Sequence, residues 1–211
     1  MKIVVIAGPQ SSGKTTSLKY LREKYADQLD FHPEINQNTL FPEAKMGSVA
    51  VTPEMEREIV QTDINHLDNL PPSDLLQLAE TAPFHLVYSH HLDPDYYQEA
   101  ILGYKQALEK HELYIIFIDT KPKVSFARRK RTYLARVKKA IKEQNLSPEE
   151  ASSYTRSMML KYERAITERY PIWKNVLSEI NYAKGKIIIP NNHSNQDKFL
   201  AEIEAAFLTI L

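Results

Sequence analysis

Apolar positions along the chain fall into two alternating rhythms. Short β-branched runs at residues 3–7 and 113–118 have the unbroken character of strands buried on both faces. Between such runs, apolar residues recur at helical spacing: Leu18, Leu21 and Tyr25 form one stripe, Ile59, Ile64 and Leu67 another, and Tyr97, Ile101, Tyr104 and Leu108 a third. Residues 28–32 predict a short second strand ending at Pro33-Glu34. Residues 84–88 predict a third, entered through Leu75, Leu76 and Leu78 and left through Ser89-His90-His91, and residues 186–190 a fifth. Residues 35–52 read as irregular, with Pro42 and Gly47 as breakers. A helix restarts at Thr52-Pro53-Glu54, where threonine caps and proline takes the first turn, and runs to Pro71-Pro72. From Lys121-Pro122 a long basic helix extends to about Asn145. Ser147-Pro148-Glu149-Glu150 opens the next with a capping-box pattern, Tyr170-Pro171 is expected to interrupt it, and a helix over 197–211 closes the chain. Strands alternating with helices imply an α/β fold, a three-layer sandwich in which a five-stranded parallel sheet is covered by helices and ligands bind at the carboxyl ends of the strands. There is no internal repeat and no low-complexity tract.

The turn after the first predicted strand reads Gly8-Pro9-Gln10-Ser11-Ser12-Gly13-Lys14-Thr15, a complete G-x-x-x-x-G-K-[ST] loop between an apolar strand and a helix. Gly8 and Gly13 let backbone N–H groups turn inward around phosphate oxygens, and the following helix aims its positive end at them. Lys14 supplies an ammonium, and Thr15 a hydroxyl for Mg²⁺. Only five glycines occur in the chain, and two sit at the required spacing. The whole stretch from Gly8 to Thr16 is thereby expected to bind a nucleoside triphosphate.

Composition narrows the rest. With 211 residues and 43% hydrophobic content, one domain with one buried core is expected, carrying a mobile appendage. Lys+Arg and Asp+Glu balance at 27 each, so the global basic excess that drives nonspecific nucleic-acid binding is missing, and no nucleic-acid partner is expected. With no cysteine there is no disulfide, thiolate zinc site or cysteine nucleophile. No run approaches the ~20 apolar residues of a membrane span and the N-terminus lacks a signal-peptide shape, so a soluble cytoplasmic protein without a membrane partner is expected.

Element order, size and the residues after each strand resemble the small P-loop kinases, above all the deoxynucleoside kinase and thymidylate kinase group, over most of the chain. The resemblance implies a P-loop NTPase fold with a helical lid, and several site residues. A glutamate just after the second strand takes the proton of the acceptor hydroxyl in that group, and Glu34 in His32-Pro33-Glu34-Ile35-Asn36 stands there. The group also carries an acid–arginine pair at the end of the third strand. Here the expected counterpart is Tyr88-Ser89-His90-His91-Leu92-Asp93, a departure that leaves Ser89, His90 or His91, and Asp93 as replacements and throws weight onto Asp119 as a Mg²⁺ partner. Asp119 ends the fourth strand in the apolar-run-then-aspartate form of a Walker B acid, but a helix cap would look the same. Tyr96-Tyr97-Gln98 resembles the element that approaches the acceptor base. The cations Arg128, Arg129, Lys130, Arg131, Arg136, Lys138 and Lys139 resemble a lid over about 121–150, with Arg128 and Arg131 on one helix face and Arg129 and Arg136 on another. A solvated basic helix is the plainer alternative. The stretch Pro190-Asn191-Asn192-His193-Ser194 resembles the loop passing near adenine, which makes Asn191 a nucleotide contact.

These features imply a single-domain kinase that uses ATP and Mg²⁺ to phosphorylate a small metabolite, a nucleoside or nucleotide foremost. Lys14, Glu34, Arg128 and Arg131 are the expected catalytic residues, Thr15 and Asp119 the expected metal side, and a homodimer is left open. The alternative is an ATP-binding regulatory module with slow hydrolysis and no small-molecule acceptor, for which the missing third-strand acid is the main support.

Overall fold

A computed structural model of the chain describes residues 1–42, 51–192 and 195–211, with His91 and Leu92 described by backbone alone. Gly47, His193 and Ser194, named above, therefore lie outside the described residues, as does the side chain of His91. Five parallel strands form one sheet in the order β2-β3-β1-β4-β5: β1 (Lys2–Ala7), β2 (Leu29–His32), β3 (Leu76–Glu80), β4 (Glu112–Asp119) and β5 (Gly185–Pro190). Among the described residues eight helices accompany them: α1 (Lys14–Lys24), α2 (Gln37–Leu40), α3 (Pro53–Asp68), α4 (Leu86–Leu92), α5 (Pro94–Leu108), α6 (Pro122–Glu143), α7 (Pro148–Glu179) and α8 (Gln196–Leu208).

The central strand shows why the sandwich has three layers. Successive side chains of a strand point to opposite faces, and β1 is apolar at both. Ile3, Val5 and Ala7 join a core with Phe84, Tyr104, Phe117, Trp173 and Val176 from the α3–α5 and α7 side, while Val4 and Ile6 join Leu18, Leu21, Phe199, Ile203 and Phe207 from α1 and α8. In-register pairing of β1 with β3 (Val4↔Leu78) and with β4 (Val4↔Tyr114) brings the carboxyl ends of these strands together beneath the phosphate loop. No helix among the described residues is long and apolar enough to cross a membrane.

The third strand differs from the sequence expectation: β3 is Leu76–Glu80, and the aromatic run 84–88 turns into α4 instead. Gln77 disguised β3, yet a buried strand tolerates it because every polar atom of its amide is used. Its Nε2 donates to Asp30 Oδ2 at 3.0 Å and to the Leu75 carbonyl at 2.8 Å, leaving Oε1 to accept from His32 Nε2 at 2.7 Å. After Glu80 the chain reverses at Thr81, whose φ of 72° lies in the left-handed region, unusual for a β-branched residue. Phe84 then packs under the helices rather than in the sheet, its ring 5.6 Å from that of Trp173.

A second expectation also fails, for α7 runs straight through Tyr170-Pro171. Proline inside a helix costs roughly 3 kcal/mol. Anchors on both sides offset it: Trp173, Val176 and Leu177 are buried, while Tyr170 and Lys174 both reach Asp119. The other helix starts agree with their caps. Thr52 accepts from Met55 N, and Ser147 forms the expected capping box with Glu150. Within 35–52, Asn36 and Thr39 cap the four-residue α2, which the sequence did not suggest.

Candidate active site

The phosphate loop follows β1 and feeds α1, and both of its glycines have positive φ, 151° at Gly8 and 108° at Gly13. Space forbids side chains there as well. A Cβ on Gly8 would strike the Ile118 carbonyl of β4, and one on Gly13 would meet Phe199 at 2.9 Å and Asn191 at 3.0 Å. The loop is thus clamped between β4 and the start of α8. A cleft of about 390 Å³ opens on it, lined by residues 11–16 with Arg128, Asn191, Asn195, Gln196 and Phe199. Thr15 and Thr16 are exposed at the start of α1, where free N–H groups and the helix dipole favour an anion.

Lys14 is among the residues lining this cleft. Its Nζ donates to the Gly8 carbonyl at 2.9 Å and stands 5.6 Å from the centre of the Trp173 ring, so α7 supplies an aromatic wall behind the ammonium. Burial lowers the Lys14 pKa below the usual lysine value, while the carboxylates of Glu34 and Glu80 pull it back up. These two acids come from the carboxyl ends of adjacent strands β2 and β3, which pair in register from Leu29↔Leu76 to His32↔Ala79. Burial and the nearby Glu34 push Glu80 above the ordinary carboxylate range, against the pull of Lys14 and His85.

Glu80 is the third-strand acid, so the sequence expectation that this acid is missing is corrected. The proposed replacements do other work. Ser89 is buried inside α4. Asp93 caps α5 through Tyr96 N at 3.2 Å and pairs with Arg57 at 2.5 Å, and His90 is exposed with its ring 4.7 Å from that of Tyr97. Tyr96 and Tyr97 are themselves largely buried in α5, and Tyr97 hydrogen-bonds Glu179. Asp119, expected on the metal side, is bound by α7. Its Oδ1 accepts from Tyr170 at 2.8 Å and its Oδ2 from Lys174 at 2.6 Å, so both oxygens are taken up in fastening α7 to the sheet.

Helix α6 crosses the loop and bonds to it through three side chains. Arg128 donates to the Ser11 carbonyl and to Asn191 Oδ1, both at 3.1 Å, Arg129 donates to Gln10 Oε1 at 2.6 Å, and Ser125 bonds the Gln10 carbonyl. Arg128 thus meets the phosphate loop. Arg131 lies exposed, away from these contacts. The adjacent Arg129 takes its place because the consecutive residues 128 and 129 straddle the loop. Beyond them, α6 is held to α7 by Tyr133 and Tyr162, stacked with centroids 4.2 Å apart. Asn191 is buried and fully used: its Nδ2 donates to the Ser12 carbonyl at 2.6 Å while Oδ1 receives Arg128.

A second group of polar side chains lies beyond Glu34. Glu56 and Asp63, two helical turns apart on the inward face of α3, are buried with His85, which immediately precedes α4. Asp63 accepts from Tyr104 at 2.7 Å. The sequence reading passed over this group, although two acids at positions i and i+7 beside Ile59, Val60 and Ile64 were its visible signal.

No family model matches the chain, and neither does any curated protein. Among solved structures the fold is similar to that of deoxyadenosine kinase from M.mycoides, a structure with products dCMP and a flexible dCDP bound. The likeness covers 99% of this chain and 100% of that one, with a TM-score of 0.55 and 12% sequence identity. The likeness is one of fold, and the five-stranded parallel sheet expected from the sequence is present.

Proposed function

We propose that the protein is an ATP-dependent kinase that transfers the γ-phosphoryl group of ATP to a small metabolite, a nucleoside or nucleotide foremost. One observation carries the reading: Lys14, bonded to the Gly8 carbonyl of the phosphate loop, feels the charge of two carboxylates, Glu34 and Glu80, delivered by adjacent strands. A phosphoryl-transfer site needs that juxtaposition of a cation for the transferring phosphate and a carboxylate for the attacking hydroxyl. The loop amides and Lys14 hold the triphosphate. Glu34 accepts the proton as the acceptor oxygen bonds to the γ-phosphorus and the bond to the bridging oxygen breaks, releasing ADP. Arg128 and Arg129 offer guanidinium donors to the charge that spreads over the transferring group. The exposed Thr15 hydroxyl and the Glu80 carboxylate are an all-oxygen donor pair beside the phosphate loop, the kind Mg²⁺ takes together with phosphate oxygens, and they would hold it. When bound, the ion neutralises phosphate charge. The deoxyadenosine kinase likeness supports the class. With Glu80 at the end of β3, the regulatory-module alternative loses its main support.

The test is ADP release from purified protein with Mg-ATP and a panel of nucleosides, nucleotides and small sugars, run beside titration of a nonhydrolysable ATP analogue into wild type and Glu34→Gln. Acceptor-stimulated release that collapses in the variant while analogue binding persists is expected. Analogue binding with no stimulation by any acceptor would overturn the kinase reading.

A further inference from the structure

The edge strand β2 ends two residues before Glu34, and its last side chains form a run of hydrogen bonds whose direction is fixed throughout. Asp30 and His32 share one face of β2, and Gln77 of β3 stands opposite Asp30 in register. Gln77 is only 1% exposed, and both hydrogens of its amide are used, on Asp30 Oδ2 at 3.0 Å and on the Leu75 carbonyl at 2.8 Å. Its Oε1 therefore faces His32 Nε2 at 2.7 Å, and that nitrogen must carry a proton. A neutral His32 ring is then bare at Nδ1, where His66 Nε2 of α3 stands 3.0 Å away and donates. Every donor points towards the Asp30 carboxylate, which also accepts from Ser73 Oγ at 2.7 Å. Gln77 and Ser73 hold that carboxyl below the ordinary aspartate range.

We infer that His32 and His66 are positioning residues for the proposed reaction: their relay pins the end of β2 to both β3 and α3 and so fixes the place from which Glu34 meets the acceptor hydroxyl. That role presupposes the kinase reading above, since both residues act through Glu34. Three features select it. As an edge strand, β2 has a hydrogen-bonded neighbour on one side only, so its end gains an anchor to α3 solely through side chains. Pro33 then holds its own φ and restricts His32 to extended conformations, so a shift of His32 passes to Glu34 with little slack. Finally, the pair responds to protons. With one added proton the charged ring still donates to the neutral one; with two, N–H faces N–H and the bond is lost. The carboxyl groups facing the pair are Asp30 from β2 and Asp63 from α3, one turn before His66. Burial and His32 lower the His66 pKa, against the pull of Asp63, so the doubly charged pair forms only in acidic solution.

The experiment measures kcat from pH 5.5 to pH 8 by acceptor-stimulated ADP release, beside affinity for a nonhydrolysable ATP analogue. It compares wild type, His66→Ala, His66→Gln, Glu34→Gln and the double variant His66→Ala/Glu34→Gln. His66 is exposed on α3, so both of its replacements leave the core intact. His66→Ala should lower kcat about tenfold at pH 8 with analogue affinity unchanged, since a slightly misplaced reacting group is felt on that scale or a larger one. His66→Gln can donate to a bare Nδ1 or turn its oxygen to a protonated one, so it should stay within about twofold of wild type at pH 8 and exceed it near pH 5.5. The double variant should be no slower than Glu34→Gln alone, because residues acting through one group do not add their losses. Additive losses in the double variant overturn the inference and leave the kinase intact. So do equal losses in His66→Ala and His66→Gln, a His66→Ala turnover like that of wild type, or nitrogen NMR at pH 8 that places the His32 proton on Nδ1. If no acceptor stimulates ADP release from wild type, the kinase reading falls and the inference with it.

Discussion

The two halves of the candidate site handle their polar groups in opposite ways. On the phosphate side the protein mostly bonds to itself: Lys14 to Gly8, Arg128 to Ser11 and Asn191, Arg129 to Gln10, and Asn191 to Ser12. Beyond Glu34, Glu56, His85 and Thr81 each hold a buried atom with no hydrogen-bond partner among the described residues. The first half rests on backbone carbonyls and long flexible cations, which exchange a carbonyl for a phosphate oxygen at little cost. The second rests on short side chains fixed inside a packed wall, which cannot swing to find substitutes. A ligand at the phosphate loop would therefore compete with internal bonds, whereas one reaching the second group would meet atoms without hydrogen-bond partners among the described residues.

That contrast can be broken most sharply at Lys14. Lys14→Ala should lower turnover by about 10³-fold or more while leaving the circular dichroism spectrum unchanged, because the ammonium is a ligand cation and not part of the packed core. Near-normal turnover would remove the loop from the chemistry. Next comes Glu34→Gln, which should cut acceptor phosphorylation by ~10²-fold, the scale for a positioned base, with affinity for a nonhydrolysable ATP analogue preserved. A parallel loss of analogue affinity would show that Glu34 serves the nucleotide half instead.

The buried acid of α3 also makes a stability prediction. Glu56 is raised in the folded state from 4.5 to about 7 by burial. Below the unfolded value both states hold the proton and there is no penalty. As pH rises through 4.5 towards 7 the unfolded chain releases it while the folded protein keeps it, so stability falls and the penalty is complete above 7. Glu56→Gln removes the titration and should be more stable than wild type at pH 8 by on the order of 2 kcal/mol, a difference that vanishes near pH 4 in denaturant melts. An equal gain at both pH values would mean that packing, not charge, is responsible. The smallest expected effect separates the two lid arginines. Arg129→Ala should lower kcat about tenfold with little change in the KM for ATP, and Arg131→Ala should stay within twofold, as befits its exposed place on α6. The reverse order would restore the face that helical spacing alone had favoured.

Much of this molecule was legible in the residues. The phosphate loop needs glycines at two positions of positive φ, a lysine and a threonine, all contiguous, so local chemistry identifies it without tertiary knowledge. The position of Glu34 just past the end of β2 was legible as well. Strand β3 was not legible, because Leu76–Glu80 carries a glutamine whose amide needs Asp30 and His32 of β2 as well as the Leu75 carbonyl, while the aromatic run after it has the stronger β propensity. Misplacing that strand hid Glu80 and sent the search for an acid to Ser89, His90 and Asp93. Asp119 shows a similar limit: its sequence context suggests a metal and could not reveal Tyr170 and Lys174, 51 and 55 residues away, which bond to both of its oxygens.

The sequence by itself determined what depends on neighbours along the chain: the alternation of buried strands with amphipathic helices, the capped helix starts, and the nucleotide loop. Tertiary structure decided what depends on partners far apart in the chain, namely which apolar run enters the sheet, whether Pro171 ends its helix, which arginine of α6 meets the loop, and which acids are free to work. The physical reason is common to all four. A buried polar group or an unfavourable local conformation costs a few kcal/mol, and only contacts assembled by the fold can offset or reassign that cost.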